Sequence, residues 1–233
     1  MTPIVSGIVL AETAALMGDV ARANILSSLM DGRALTASEL AWHSGVSPQT
    51  ASGHLAKLSE ARLISMTKQG RHRYSRLASP EVAQAIEALM AVASFGPGRH
   101  RPTGPKDEAL RRARTCYDHL AGRLGIALTD ALTAQDHLVL SDSAGALTEK
   151  GRRFLCTFGV ELESGPKDKR ALCRTCLDWS ERRPHLAGRL GAALCTRMFE
   201  LSWIERIKDS RALAITAQGR DGLRAIFGID GIA

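Results

Sequence analysis

The sequence predicts a mainly α chain with small β-wings, built as two domains in tandem. Three observations carry this reading. Apolar residues make up 45% of the 233 residues and aromatics only 4%, so the cores must be built from Leu, Ala, Ile and Val, a composition that favours helices. The segment from Gly96 to Pro105 holds three Gly and three Pro without apolar periodicity and reads as a linker. The chain beyond it repeats itself. The expected boundaries are a first domain over 1–95, a linker over 96–106 and a duplicated domain over 107–233, with repeats at about 109–160 and 169–228.

The first domain can be followed element by element. Ile8 to Met17 and Pro80 to Ser94, the latter behind a Ser79-Pro80 cap, read as outer helices. Thr36-Ala-Ser-Glu39 is a capping box, in which the Thr hydroxyl accepts from the Glu39 backbone and Glu39 reaches back. It opens a short helix over about Ala37 to His43. Gly45 allows a sharp turn, and Ser47-Pro48 supplies an N-cap and an N1 proline for a second helix ending near Ala61. A short helix, a glycine turn and a capped helix make a helix-turn-helix.

On a helical wheel Ala51, Leu55 and Leu58 form the core stripe of the second helix. Gln49, Thr50, Gly53, His54 and Lys57 lie on the opposite side. That outer face is small and polar and ends in a cation, which suits a major groove. Ile64 to Thr67 and Arg73 to Leu77 read as two strands of a wing, joined through Lys68-Gln69-Gly70-Arg71-His72. From Lys57 to Arg76 there are six basic residues against one acid, Glu60, whereas residues 1–56 hold two basic residues and four acids. The positive charge of the first domain is thus concentrated in one short stretch, where phosphates would be met. The expected DNA contacts are Ser47, Gln49, Thr50, Ser52, His54 and Lys57 on the helix, and Lys68, Arg71, His72 and Arg73 on the wing. His54 and His72 are read as contacts to DNA or solvent in preference to pH sensors.

Ala41 to Val46, Ser47 to Leu55, Leu58 to Ile64, Gly70-Arg-His-Arg-Tyr74 and Arg76-Leu77 resemble the ArsR/SmtB family of winged helix-turn-helix repressors. The resemblance covers about residues 10–95. It implies a homodimer paired through the first helix and the helix after the wing, and a repressor released from its operator by a signal. The family's metal sensors resemble one another in a Cys-rich helix before the turn or in His and acidic ligands on the last helix. Here Ala37 to His43 has no Cys, and Pro80 to Ser94 has Glu81 and Glu87 but no His, so no family metal site is carried over.

In the second domain Arg114-Thr-Cys-Tyr-Asp118 recurs as Arg174-Thr-Cys-Leu-Asp178, and His119-Leu-Ala-Gly-Arg-Leu-Gly125 recurs unchanged as His185 to Gly191. Six extra residues, Trp179 to Pro184, split the second copy. Leu147-Thr148-Glu-Lys-Gly151 is echoed by Ile215-Thr216-Ala-Gln-Gly219. These identities predict a tandem-duplicated, pseudo-symmetric helical domain whose repeats each read as helix, short strand or turn, and closing helix. The small residues Ala121, Gly122, Ala187 and Gly188 are expected to let helices approach closely. The repeated segment lacks both phosphate-loop signatures. Trp179 and Trp203 read as core anchors more than as cavity linings.

All five cysteines lie in the second domain: Cys116, Cys156, Cys173, Cys176 and Cys195. Matched Cys and His pairs in two symmetric repeats can converge on one ion. Cys116, His119, Cys173, Cys176 and His185 are therefore the candidate metal or thiol set, against the alternative of small side chains packing a core, especially for Cys156 and Cys195. No signal peptide or apolar run of transmembrane length is evident, so the expectation is a cytoplasmic protein with reduced thiols and no membrane partner.

These readings point to a sequence-specific, non-enzymatic regulator. It would be a homodimeric repressor on double-stranded DNA, needing no cofactor to bind and tuned by a small-molecule or metal effector at the second domain. Two alternatives stay open at this stage. One is an architectural DNA binder without an effector, and the other is an enzyme domain fused to an autoregulatory helix-turn-helix.

Overall fold

The computed structural model describes residues 6–70, 72–94, 105–141, 144–160 and 170–232. The chain divides into two compact units, Met1–Ile86 and Glu87–Ala233. No helix among the described residues is long and apolar enough to cross a membrane.

The first unit opens with α1 (Gly7–Met17) and α2 (Val20–Ser28), whose N-caps Ser6 and Asp19 accept from the backbones of Val9 and Arg22. A short strand β1 (Leu35–Thr36) leads into α3 (Ala37–Ser44). The capping box of Thr36 and Glu39 forms as the sequence predicts, and its hydrogen bonds from Thr36 hold the Glu39 carboxyl below the usual carboxylate range. Gly45 ends α3 at φ 70°, and Ser47 caps α4 (Pro48–Glu60). The wing is β2 (Ile64–Gln69) and β3 (His72–Leu77), followed by α5 (Pro80–Ser94).

The sheet is antiparallel in the order β1-β3-β2, which makes the unit a winged helix-turn-helix. The wing strands run further than expected. Gln69 pairs with His72 across a two-residue loop, in which Gly70 takes φ 59°. Ala51, Leu55 and Leu58 of α4 enter the core, as the wheel predicts, together with Leu40 of α3 and Ile25 and Leu26 of α2.

The second unit corrects the expected helical repeat. After α6 (Pro105–Arg112) come a hairpin of β4 (Arg114–Cys116) and β5 (His119–Ala121), α7 (Gly122–Ala134), a hairpin of β6 (Leu138–Leu140) and β7 (Gly145–Leu147), and α8 (Glu149–Phe158). The same order returns as β8 (Arg174–Leu177), β9 (Pro184–Ala187), α9 (Gly188–Glu200), β10 (Ile204–Arg206), β11 (Leu213–Ile215) and α10 (Ala217–Gly222), which runs on into a π-helical turn over Leu223–Phe227. Each half is hairpin, helix, hairpin, helix. Strands of three or four residues are too short to display a period of two, which is why sequence periodicity misses them.

The two halves interlock. Arg114 bridges to Ala212 and Arg174 to Ala144, so the first hairpin of each half extends onto the second hairpin of the other. Reciprocally, α7 packs against β9 and α9 against β5. Leu124, Leu128, Leu190 and Leu194, at matched positions, are buried in one core. Phe154 and Phe158 of the first half meet Trp203 and Phe227 of the second; Trp203 is a core anchor, as expected.

Of the small residues of the repeated motif, Gly122 and Gly188 permit close approach as expected: a Cβ there would lie 2.6 Å from the Arg111 carbonyl of α6 and 2.8 Å from the Ala171 carbonyl. Ala121 and Ala187 are the N-caps of α7 and α9, and Gly122 and Gly188 begin those helices. Gly125 and Gly191 provide a second close approach. A Cβ there would lie 2.5 and 2.7 Å from the carbonyls of Leu120 and Leu186, so each helix sits directly on its own hairpin.

Candidate DNA-binding face and a cysteine–histidine cluster

In α4 the outer face is fixed by the burial of Ala51, Leu55 and Leu58 on the inner one. Gln49, Thr50, Ser52, Gly53 and Lys57 are exposed. Ser47 is committed to capping: its hydroxyl accepts from Thr50 N at 3.1 Å and lies 2.8 Å from the Thr50 hydroxyl. The Ser52 hydroxyl donates back to the Pro48 carbonyl at 2.9 Å. His54 is turned toward α2, with Nδ1 3.5 Å from Arg22 Nη1 and 3.9 Å from Asp19 Oδ1. The same Arg22 donates to the carbonyls of Leu16 and Ala15. His54 therefore serves the joint between α1, α2 and α4, and the open polar face is Gln49, Thr50, Gly53 and Lys57.

On the wing, Lys68 and Arg73 are exposed and directly opposite in the β2–β3 register. Like charges facing across a hairpin disfavour it, and a polyanion laid along the wing removes that cost. His72 is exposed beside them. Arg71 lies outside the described residues.

The second unit gathers four of the five candidate metal or thiol residues. Cys116 stands directly opposite His119 in the β4–β5 register, and Cys176 opposite His185 in β8–β9. The two hairpins meet so that the ligand atoms of all four side chains lie within 4.8 Å of one another. The thiols are 3.8 Å apart and the imidazole centroids 5.2 Å apart. Cys116, His119 and His185 are buried and Cys176 half-buried. Cys173 does not join them: it is buried in the hydrophobic core. Cys195 is a core residue as expected, but Cys156 is exposed, correcting its reading as packing.

Carboxylates back both imidazoles, a feature the sequence reading overlooked. Asp118 Oδ1 is 3.3 Å from Nδ1 of His119, and its Oδ2 is paired with Arg170 at 2.7 Å. Asp178 Oδ2 is 3.5 Å from Nδ1 of His185, at ion-pair range but without hydrogen-bond geometry. The signal was present as the Asp that closes both copies of the Arg-Thr-Cys motif. Asp178 also accepts from Arg114 at 2.8 Å and from the Gly122 backbone at 2.7 Å, tying the halves together. Within the same unit, the Cys176 thiol donates to Glu87 at 2.6 Å.

The electrostatics of the two histidines diverge. Burial disfavours the His119 imidazolium, but Asp118, and after it Cys176 and Glu87, outweigh burial and push its pKa up to about 9. Burial, followed by the charge of His119, holds His185 well below its ordinary value. Burial above all pushes the Cys176 thiol up to about 11. Two thiols and two imidazoles at this spacing can hold a metal ion or exchange redox equivalents.

Comparison with known proteins agrees with the first unit. Residues 19–66 match the family model described as bacterial regulatory protein, arsR family. The chain aligns with the solved structure of NolR from Sinorhizobium fredii at 25% identity and a TM-score of 0.35, covering 42% of this chain and all of that one. It is 32% identical over 108 residues to the HTH-type transcriptional regulator KmtR of Mycobacterium tuberculosis, covering 45% of this chain and 82% of KmtR. It is 44% identical over 211 residues to YdfF of Bacillus subtilis, described as an uncharacterized HTH-type transcriptional regulator, and this match covers 91% of this chain and 93% of YdfF. A likeness running through both units at that identity, on a winged helix-turn-helix with an open polar recognition face, shows that the chain belongs to the ArsR family of HTH-type transcriptional regulators.

Proposed function

We propose that this protein is a homodimeric repressor that reads a roughly palindromic operator, with binding modulated by an effector at the second unit. The observation that carries the reading is the exposed face of α4, where Gln49, Thr50 and Lys57 surround Gly53 with no bulky apolar side chain. Such a face presents donors and acceptors to base edges at close range. Lys68 and Arg73, with Arg71 from the sequence, would hold phosphates beside it. The test is an electrophoretic shift on the gene's own upstream region at about 150 mM salt with competitor DNA. A shift that survives competitor supports the repressor, whereas equal binding to random DNA would replace it with an architectural protein. Replacing both Lys68 and Arg73 by Ala should weaken binding to all sequences alike and lower the slope of log affinity against log salt by roughly four, two for each protomer of the dimer.

The homodimer rests on α1. Among its residues none is buried, and Ile8 and Leu10 are 72% and 66% exposed. An apolar helix with no fully buried residue is a self-association surface, and Leu89 and Val92 on α5 are exposed as well. Replacing Ile8 and Leu10 by Glu should convert the protein to a monomer in sedimentation and abolish the specific shift. A variant that stays dimeric would move the interface elsewhere.

For the second unit, we read the repeated motif as a tandem duplication about a pseudo-two-fold axis. The reciprocal backbone bridges of Arg114 and Arg174 support this. The enzyme alternative receives no support from the relatives, which are described as transcriptional regulators.

A further inference from the structure

We infer that Cys116, His119, Cys176 and His185 are the complete ligand set of one divalent ion of the zinc class, each repeat supplying one thiolate and one imidazole. The inference stands on the second unit alone and holds whether or not the first unit reads an operator.

Four observations converge. The hairpin registers put each Cys directly across from its His, and the two pairs then meet with all ligand atoms within 4.8 Å. The thiol separation is 3.8 Å. In a tetrahedron with metal–sulfur bonds of about 2.3 Å, the sulfur–sulfur edge comes to about 3.8 Å. Nε2 of both His119 and His185 is buried without a hydrogen-bond partner among the described residues, a costly arrangement that an ion would relieve. Finally, Asp118 and Asp178 stand on the Nδ1 side of the two rings. Asp118, hydrogen-bonded there at 3.3 Å, orients the His119 ring and keeps its proton on Nδ1, leaving the Nε2 lone pair for a metal, whereas Asp178 lies 3.5 Å from His185 Nδ1 without a hydrogen bond.

The chemistry selects the ion. Two thiolates and two imidazoles in a tetrahedron suit zinc. Two thiolates also neutralise a divalent charge, as a largely buried site requires. Loading releases one proton from each thiol and any proton held on an imidazole Nε2; the one on Cys176 is now donated to Glu87, so that hydrogen bond is lost on binding. A disulfide between the same sulfurs would satisfy neither Nε2. With all four positions taken by protein, the ion has no open site for catalysis. It would cross-link the two repeats.

The test uses the reduced full chain, stripped of metal and titrated with cobalt(II) as a spectroscopic probe. The expected result is one cobalt per chain, with thiolate–cobalt charge-transfer absorption and the intense visible bands of a tetrahedral site, displaced by one equivalent of zinc. The signal should vanish in the Cys116→Ser/Cys176→Ser variant and persist in Cys156→Ser. Asp118→Asn should bind roughly 10- to 100-fold more weakly. Should the double variant fail to fold by circular dichroism, Cys116→His supplies the readout: it keeps four donors and should show a tetrahedral spectrum with weaker thiolate absorption. Absence of thiolate–cobalt absorption in the reduced wild type overturns the inference, as does absorption unchanged in the Cys116 variants. A Cys116–Cys176 disulfide whose reduction restores no metal uptake overturns it in favour of a redox pair. None of these readings involves DNA, so failure here leaves the operator proposal intact.

Discussion

Asp178→Ala is expected to destabilise the second unit by about 3–5 kcal/mol, as breaking a buried ion pair from one side does. Asp178 and Arg114 are 0% and 1% exposed. The carboxylate accepts from Arg114 Nη2, from Gly122 N, from the hydroxyl and backbone of Ser180 at 2.8 and 2.9 Å, and from Glu181 N at 3.1 Å. Truncation leaves the Arg114 guanidinium buried with little to offset it. Its Nε already lacks a partner among the described residues, and its remaining support is the Leu110 carbonyl, the Ser180 hydroxyl and the face of Trp179, 4.6 Å away. The second copy's six extra residues begin at that Trp179, so the insertion helps to seal the pair. Urea unfolding measures the effect, and a loss below about 1 kcal/mol would show that the pair is dispensable. Replacing both partners with apolar residues, as Arg114→Met/Asp178→Leu, should recover much of the loss, because no lone charge then remains.

Gly53→Leu should separate stability from function by moving them in opposite directions. Gly53 sits in mid-helix on the exposed face of α4, and a Cβ there meets nothing within 4 Å. Losing a helical glycine stabilises α4 by about 0.8–1 kcal/mol, so thermal unfolding of the first unit should shift upward. The introduced leucine side chain would nevertheless stand between Gln49, Thr50 and Lys57 and hold them off the base edges. A good base contact is worth about 1–3 kcal/mol, and two are displaced in every half-site. Specific binding by fluorescence anisotropy should therefore fall by more than about a hundredfold. A more stable variant that still binds within a few-fold of wild type would remove α4 from the groove.

The first unit was legible where its signals are local. The capping box at Thr36, the glycine after α3 and Ser47-Pro48 each fix a helix end from neighbouring side chains, and those ends fall within about a residue of expectation. β1 was not legible, since Leu35 and Thr36 are a strand only by pairing with Ser75 and Tyr74 far along the chain. His54 was legible as a polar residue on a helix, but not as a partner of Arg22.

In the second unit the repeat and the convergence of its Cys and His pairs were readable, and the hairpins that cause the convergence were not. Those hairpins turn at non-glycine residues with positive φ, Tyr117 at 58° and Arg182 at 55°, which no turn signal marks. They also explain why Cys173-x-x-Cys176 misleads. Side chains of extended backbone alternate, so an odd spacing sends them to opposite faces. Cys176 joins the cluster while Cys173, one residue before β8, enters the core.

The exchange of partners between the halves also governs how the chain can be made. Leu120, Leu124 and Leu128 find their cover in elements encoded some 60 residues later, around Leu186 and Leu190. At translation rates of about 5–20 residues per second, the first half leaves the ribosome and waits for several seconds with its apolar face open. It cannot mature as a separate domain in that interval. A chain stopped near residue 160 would hold half of an interlocking pair, and its natural complement would be another truncated copy. Aggregation of nascent fragments, rather than loss of a ligand, is the first failure to expect from premature termination in this region.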